Sequence, residues 1–230
     1  MTTTRIGLLL FPRLTQLDLT GPFEVFAKMP GATVHLVWKS LEPVAAETGM
    51  RILPDTTLAD CPQLDVLCVP GGPGVSAIME DAEVLAFLRE HAGRVRFLTS
   101  VCTGALILGA AGLLRGRRAT THWASHDLLA AFGAIPTAGR VVRDGNVITG
   151  GGVTAGIDFA LTVVAEIAGP AVAQGIQLQI EYAPAPPFDA GTPETAPPDV
   201  LAASRQRGAR MRADREAQVA RITGKSAWSA

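Results

Sequence analysis

Cysteine is scarce in this chain, with three in 230 residues, an odd number with no CxxC and no paired Cys/His spacing. That excludes a disulfide scaffold and offers no zinc-ligand array. It points to a reducing compartment, and the expected location is the cytoplasm. Charge imbalance is also lacking. The formal net charge is −1, so no basic field for nucleic acid is expected. Long apolar runs are missing. The N-terminal MTTTRIGLLLF holds one short run that Pro12 ends, too brief for a signal segment or a membrane span. The Gly-rich stretch Pro70-Gly71-Gly72-Pro73-Gly74 lacks the lysine of a phosphate-binding P-loop.

What remains is ample apolar material, 48% hydrophobic against 18% charged, enough for one well-buried domain. Strand-like runs recur at Ile6–Phe11, Val34–Trp38, Leu64–Val69, Val95–Thr99 and Val147–Thr149. Helical patterns fall at Pro22–Lys28, Glu83–His91, Thr103–Leu114, Ser125–Phe132 and Ile157–Ala168. Continuous apolar strands alternating with helices predict an α/β fold, an open, mostly parallel, flavodoxin-like sheet with helices on both faces. Pro22 suits the first helical position behind Thr20-Gly21. Arg143–Asn146 reads as a hairpin turn, and Glu42–Leu58 as a small antiparallel excursion. The chain divides into an α/β domain over 1–182 and a tail over 183–230. The tail begins with the proline-rich Ala183–Pro198, which should run extended over a surface. Asp199 then caps an Arg-rich helix, with seven basic residues against three acidic ones to the C-terminus. A solvated face is the expected role of those arginines. The tail helix is expected to pack on the domain or on a second copy as a dimer strap.

Arg96–Leu114 carries the most chemistry. An apolar strand runs into Ser100-Val101-Cys102-Thr103-Gly104 and straight on into a helix rich in small residues. A buried cysteine more often serves as a small hydrophobe. At this strand-to-helix elbow, unpaired N–H groups and the positive helix end favour a nucleophilic thiolate at Cys102. Cys68, inside an apolar strand, and Cys61, before Pro62, have no such setting and receive no role.

Open parallel sheets bind ligands at the carboxyl ends of their strands, which draws further residues toward Cys102. Asp18 follows the first strand. It reads either as an N-cap or as a carboxyl that exchanges a proton with the cysteine, acting as general acid and base. Gly72, after the strand that ends at Val69, and Thr103, directly after the cysteine, offer backbone N–H groups for an oxyanion. His122 is either a thiol-activating partner or a supporting residue beside the site. Gly151, in Gly150-Gly151-Gly152, reaches the same crevice and serves close backbone packing. His35, His91 and His126 have no matching partner.

These strings resemble a known family. Leu67–Gly72, Ser100–Ala105, Arg117-Arg118-Ala119-Thr120-Thr121-His122-Trp123 and Ile148–Gly152 are similar to the ThiJ/PfpI-like superfamily, the glutamine-amidotransferase-like fold with a cysteine nucleophile elbow. Gln16-Leu17-Asp18-Leu19-Thr20-Gly21-Pro22 and the tail Ile176–Tyr182 with Pro187–Gly191 resemble the isocyanide hydratases within it. The resemblance implies a homodimer that turns an isocyanide and water into an N-substituted formamide. Cys102 would be the nucleophile forming a thioimidate, Asp18 the proton carrier and Thr103 an active-site neighbour, with no metal and no cofactor. Protease-like members place His after the nucleophile, where this chain has Thr103. Amidotransferases need a downstream His-x-Glu pair, and no histidine follows His126.

Two other readings stay open. One is a glyoxalase- or stress-type thiol hydrolase on the same elbow. The other is a non-catalytic ligand- or redox-sensing domain like those in AraC-type regulators. That last reading needs a further DNA-binding region of domain size, and only about thirty residues follow the proline-rich arm. The expected partner is therefore a small-molecule isocyanide, without nucleic acid or membrane.

Overall fold

A computed structural model describes residues 3–224. In chain order the elements are β1 (Thr4–Leu9), α1 (Gln16–Phe26), β2 (Ala32–Trp38), β3 (Val44–Ala45), β4 (Arg51–Ile52), β5 (Thr56–Thr57), β6 (Val66–Val69), α2 (Val75–Ile78) and α3 (Ala82–Ala92). β7 (Phe97–Ser100), α4 (Gly104–Ala110), β8 (Arg118–Ala119), a 3₁₀ segment (Trp123–Phe132) and β9 (Ile135–Pro136) follow. The remainder is β10 (Val141–Asp144), β11 (Val147–Gly150), α5 (Ala155–Ala168), α6 (Pro170–Gln179) and α7 (Pro198–Thr223).

Seven strands form the main sheet in the order β10-β11-β7-β6-β1-β2-β5. Every pairing is parallel except the β10–β11 hairpin. All residues of β6, β7 and β11 are buried, because helices cover the sheet on both faces. Consecutive strands run outward from β1 in both directions, so the chain reverses beside β1. A ligand crevice is expected there. The expected excursion is the antiparallel β3–β4 pair, whereas β5 joins the main sheet alongside β2.

Local structure departs from the sequence reading in three places near the site. α1 begins at Gln16 rather than Pro22, and Pro22 lies inside it. Proline removes an intrahelical bond, which argues against that position on local grounds. The helix keeps it because its ring packs on Gly156 of α5, where a Cβ would stand 3.1 Å from Pro22 Cδ. Phe26 and Phe159 meet edge to face along the same contact, with centroids 6.1 Å apart. α4 stops at Ala110 instead of reaching Leu114. Gly112 adopts φ +80° and the Leu113 N–H bonds back to the Leu108 carbonyl, a Schellman stop. Residues 123–132 coil as a 3₁₀ helix.

The tail differs most. Residues 183–197 lack regular structure, as expected of so much proline. α6 before them has no counterpart in the sequence reading, and Asp199 lies in the first turn of α7 behind Pro197, not at the cap. α7 is not an exposed rod. Arg215, Gln218 and Val219 are buried, and the helix returns across the carboxyl end of the sheet onto the 3₁₀ segment. Arg212 grips Asp127 with both terminal nitrogens, at 2.7 and 2.5 Å, and also donates to the Ala124 carbonyl. Residues 225–230 of the tail lie outside the described residues.

Candidate active site

Four neighbouring strands deliver the site from their carboxyl ends. β1 leads to Asp18, β6 to Gly71 and Gly72, β7 to Cys102 and Thr103, and β11 to Gly151. Cys102 has φ +53°, the left-handed region that a residue with a Cβ enters at a cost of roughly 1–2 kcal/mol. Two bonds hold it there. Its N–H donates to the Gly151 carbonyl at 2.7 Å, and its carbonyl accepts from Thr121 Oγ1 at 2.6 Å. In the sequence Thr121 stands out only as part of a string. Its role appears once the chain after α4 is seen to fold back against the elbow.

Asp18 is fully buried in the first turn of α1. Thr15 occupies the N-cap position, so the capping alternative for Asp18 is set aside. Asp18 Oδ2 accepts from the Gly71 N–H at 2.9 Å, while Oδ1 has no aligned hydrogen-bond partner among the described residues. The Cys102 thiol faces this carboxyl, and the two groups are electrostatically coupled. Burial pushes the Asp18 carboxyl up to about 7. The Gly71 N–H and the Cys102 thiol pull the other way, and Glu47 adds a smaller upward push.

The cysteine corrects an expectation. The Thr103 backbone N–H and hydroxyl do favour its ionised form. Burial and the nearby Asp18 outweigh them and drive the thiol well above its ordinary value. Two acids in one dry niche do not both ionise, so above about pH 7 the pair carries one negative charge and one shared proton. The thiol, pushed up further than the carboxyl, holds that proton at rest, and the charge lies on Asp18.

Gly72 corrects another. Its N–H already donates to Thr103 Oγ1 at 3.0 Å, so it is not a free oxyanion donor. The Gly-Gly pair serves close approach instead. A Cβ on Gly71 would stand 2.5 Å from the Thr103 nitrogen and 2.9 Å from Asp18 Oδ2, and Gly72 itself has φ +128°. Gly151 supports the elbow through its carbonyl, and its own N–H donates to the Arg140 carbonyl. His122 borders the cavity, but its Nδ1 accepts from the Ala124 N–H at 3.3 Å, and no hydrogen bond to Cys102 is present among the described residues. Burial and Arg215 hold its pKa below the usual histidine value, so it is neutral at pH 7.

Cys102 is only 5% exposed, yet it opens on a cavity of about 650 Å³ with mostly apolar walls. Gly72, Thr103, His122 and Trp123 form one side. α7 forms the other through Gly208, Met211 and Arg215, a wall that no local sequence pattern places there. Among the described residues no group of three or more His, Cys, Asp and Glu side chains could hold a metal ion. No described helix is long and apolar enough to cross a membrane.

The DJ-1/PfpI family model matches residues 4–166. The chain belongs to that family. Within the DJ-1/PfpI family it is 62% identical over 205 residues to the isonitrile hydratase of Pseudomonas putida, covering 89% of this chain and 90% of that one. It is 31% identical to a glutathione-independent glyoxalase of Caenorhabditis elegans, over 61% of this chain and 76% of that protein. A ThiJ/PfpI family protein from Pseudomonas syringae superposes with a TM-score of 0.92 at 46% identity, covering 98% of this chain and 92% of that one.

Proposed function

We propose that this protein hydrates isocyanides, R–N≡C + H₂O → R–NH–CHO. The carrying observation is the pair itself: a cysteine on a strained elbow facing a buried carboxyl pushed up to about 7. The likeness to an isonitrile hydratase along most of both chains supports the same reading.

The chemistry follows from that pair. Asp18 takes the thiol proton and the sulfur attacks the terminal isocyanide carbon, forming the S–C bond. The developing lone pair on that carbon takes the proton back from Asp18, giving a thioimidate, S–CH=N–R. Water then adds to the imidate carbon, Asp18 taking one of its protons and passing that same proton to the nitrogen. Collapse of the resulting S–CH(OH)–NH–R breaks the C–S bond, releases the formamide and returns the proton to sulfur. No electrons are exchanged with any other group, and one carboxyl serves both half-reactions. The Thr103 N–H stabilises the sulfur anion before attack and after departure. His122 plays no proton-transfer part.

Homodimer formation and a cytoplasmic setting belong to the same proposal. The family resemblance supports the dimer and the three free cysteines the cytoplasmic setting, and Leu178 and Phe188, 82% and 78% exposed, offer apolar surface that a second copy would cover. Light scattering giving only the 24.0 kDa monomer would remove the dimer.

The decisive assay follows formamide formation from an aryl isocyanide with wild type, Cys102→Ala and Asp18→Asn. Both variants are expected to lose at least a factor of about 10², the usual contribution of a nucleophile or general acid. Full activity in either variant refutes the mechanism. Turnover of methylglyoxal without turnover of isocyanide transfers the assignment to a glyoxalase.

A further inference from the structure

The mechanism leaves one charged group in the cavity without a task. Arg215, on α7, is 4% exposed and borders the same space as Cys102. Its Nη1 donates to Ser125 Oγ at a long 3.3 Å, and its Nε has no hydrogen-bond partner among the described residues. No carboxylate lies within ion-pair distance of it among the described residues. Its neighbour Arg212 shows what α7 does with a structural arginine: that guanidinium is held by Asp127, Glu216 and the Ala124 carbonyl. The other acids at the cavity are committed elsewhere. Glu216 is engaged by Arg212, and Glu47, across the cavity, accepts from Thr15 Oγ1.

A buried guanidinium with one weak hydrogen bond is an expensive feature. Arginine does not discharge itself by losing a proton, and its favourable electrostatic partner, Cys102, is a thiol that stays protonated at rest, so burial removes hydration that no standing anion replaces. An apolar residue would pack this wall at lower cost. The charge is explained if a ligand brings the missing anion into the cavity, and the planar fork suits a carboxylate, which it grips with two parallel bonds. Arg205, exposed on the same helix and also bordering the cavity, adds to the positive character of that side.

We propose that the isocyanides this protein takes carry a carboxylate, and that Arg215 binds it at the α7 wall while the isocyano carbon points to Cys102. The proposal rests on the hydration reading for its chemistry, but not for its binding geometry. Arg215 is a substrate-positioning and specificity residue, and the apolar walls between the two ends hold the body of the molecule.

The test uses 3- and 4-isocyanobenzoate and their methyl esters, with wild type, Arg215→Met and Arg215→Lys. Wild type is expected to show a KM for the better acid roughly 10- to 100-fold below that of its ester, the factor expected of a charge-assisted contact. Arg215→Met is expected to abolish that difference by raising the acid's KM far more than the ester's. Arg215→Lys is expected to restore part of it. A separate titration measures binding of the formamide products, 3- and 4-formamidobenzoate, against their methyl esters by calorimetry, with no turnover required. If no isocyanide is hydrated but the acids bind wild type selectively through Arg215, the hydratase reading falls and the anion site stands. If wild type handles acid and ester alike in both assays, the inference is overturned, whatever the variants do. Equal slowing of acid and ester in Arg215→Met also overturns it, and marks Arg215 as a counter-ion for the Cys102 thiolate or a packing residue.

Discussion

Asp18→Asn isolates the electrostatics of the site, because the amide keeps the shape of the side chain and can still accept from the Gly71 N–H. In the folded protein Asp18 holds its proton up to about 7, against 3.8 for an ordinary aspartate. Between those values the native state binds more protons than the unfolded chain, so stability falls as pH rises through that window and levels off above it. At 1.36 kcal/mol per pH unit, the part between pH 5 and pH 7 amounts to roughly 3 kcal/mol. For a chain of this length that corresponds to a Tm change of roughly 6–12 °C. The amide of the variant does not titrate. The Tm of the variant minus that of wild type should therefore rise by that amount between pH 5 and pH 8, as other groups cancel in the difference. Differential scanning calorimetry at four pH values reads it directly. Parallel Tm–pH curves for the two proteins would show that Asp18 ionises normally in its niche, and the proton-sharing account of the site would fail.

Other consequences are checked more simply. Hydration activity of wild type should rise as pH passes through about 7, where the Cys102–Asp18 pair acquires its single negative charge, and His122→Gln should leave that profile in place. Gly71→Ala would press a methyl group against the Thr103 nitrogen and Asp18, costing about 1–3 kcal/mol by chemical denaturation and most of the activity. Thr121→Val leaves the Cys102 carbonyl without its hydroxyl donor, and should lower stability by about 1–3 kcal/mol while loosening the elbow, seen as a reduced kcat. Cys68, 1% exposed with its thiol pushed up to about 12 by burial, should stay unalkylated by iodoacetamide at pH 8 in the native protein, as mass spectrometry of the digest would show.

The strand cores were legible because central parallel strands are buried on both faces and read as unbroken apolar runs, as in Val66–Val69 and Val147–Gly150. The elbow was legible because strand, cysteine and small-residue helix are contiguous in the chain. Helix limits were not. Pro22 is tolerated inside α1 only because Gly156, far along the chain, lets its ring in, and no local pattern carries that information.

Sequence alone determined the fold class and marked the elbow cysteine and a carboxyl after the first strand as candidates, since each is written in one segment and local rules act over a few residues. Tertiary structure decided the rest: which acid keeps a proton, which N–H groups are already engaged, and what closes the cavity. Those depend on solvent exclusion and on contacts between distant segments. α7 shows it most plainly: its arginines read as a solvated face until the helix folded over Cys102 and buried Arg215. Burial sets the energy of a charge, and burial belongs to the whole fold.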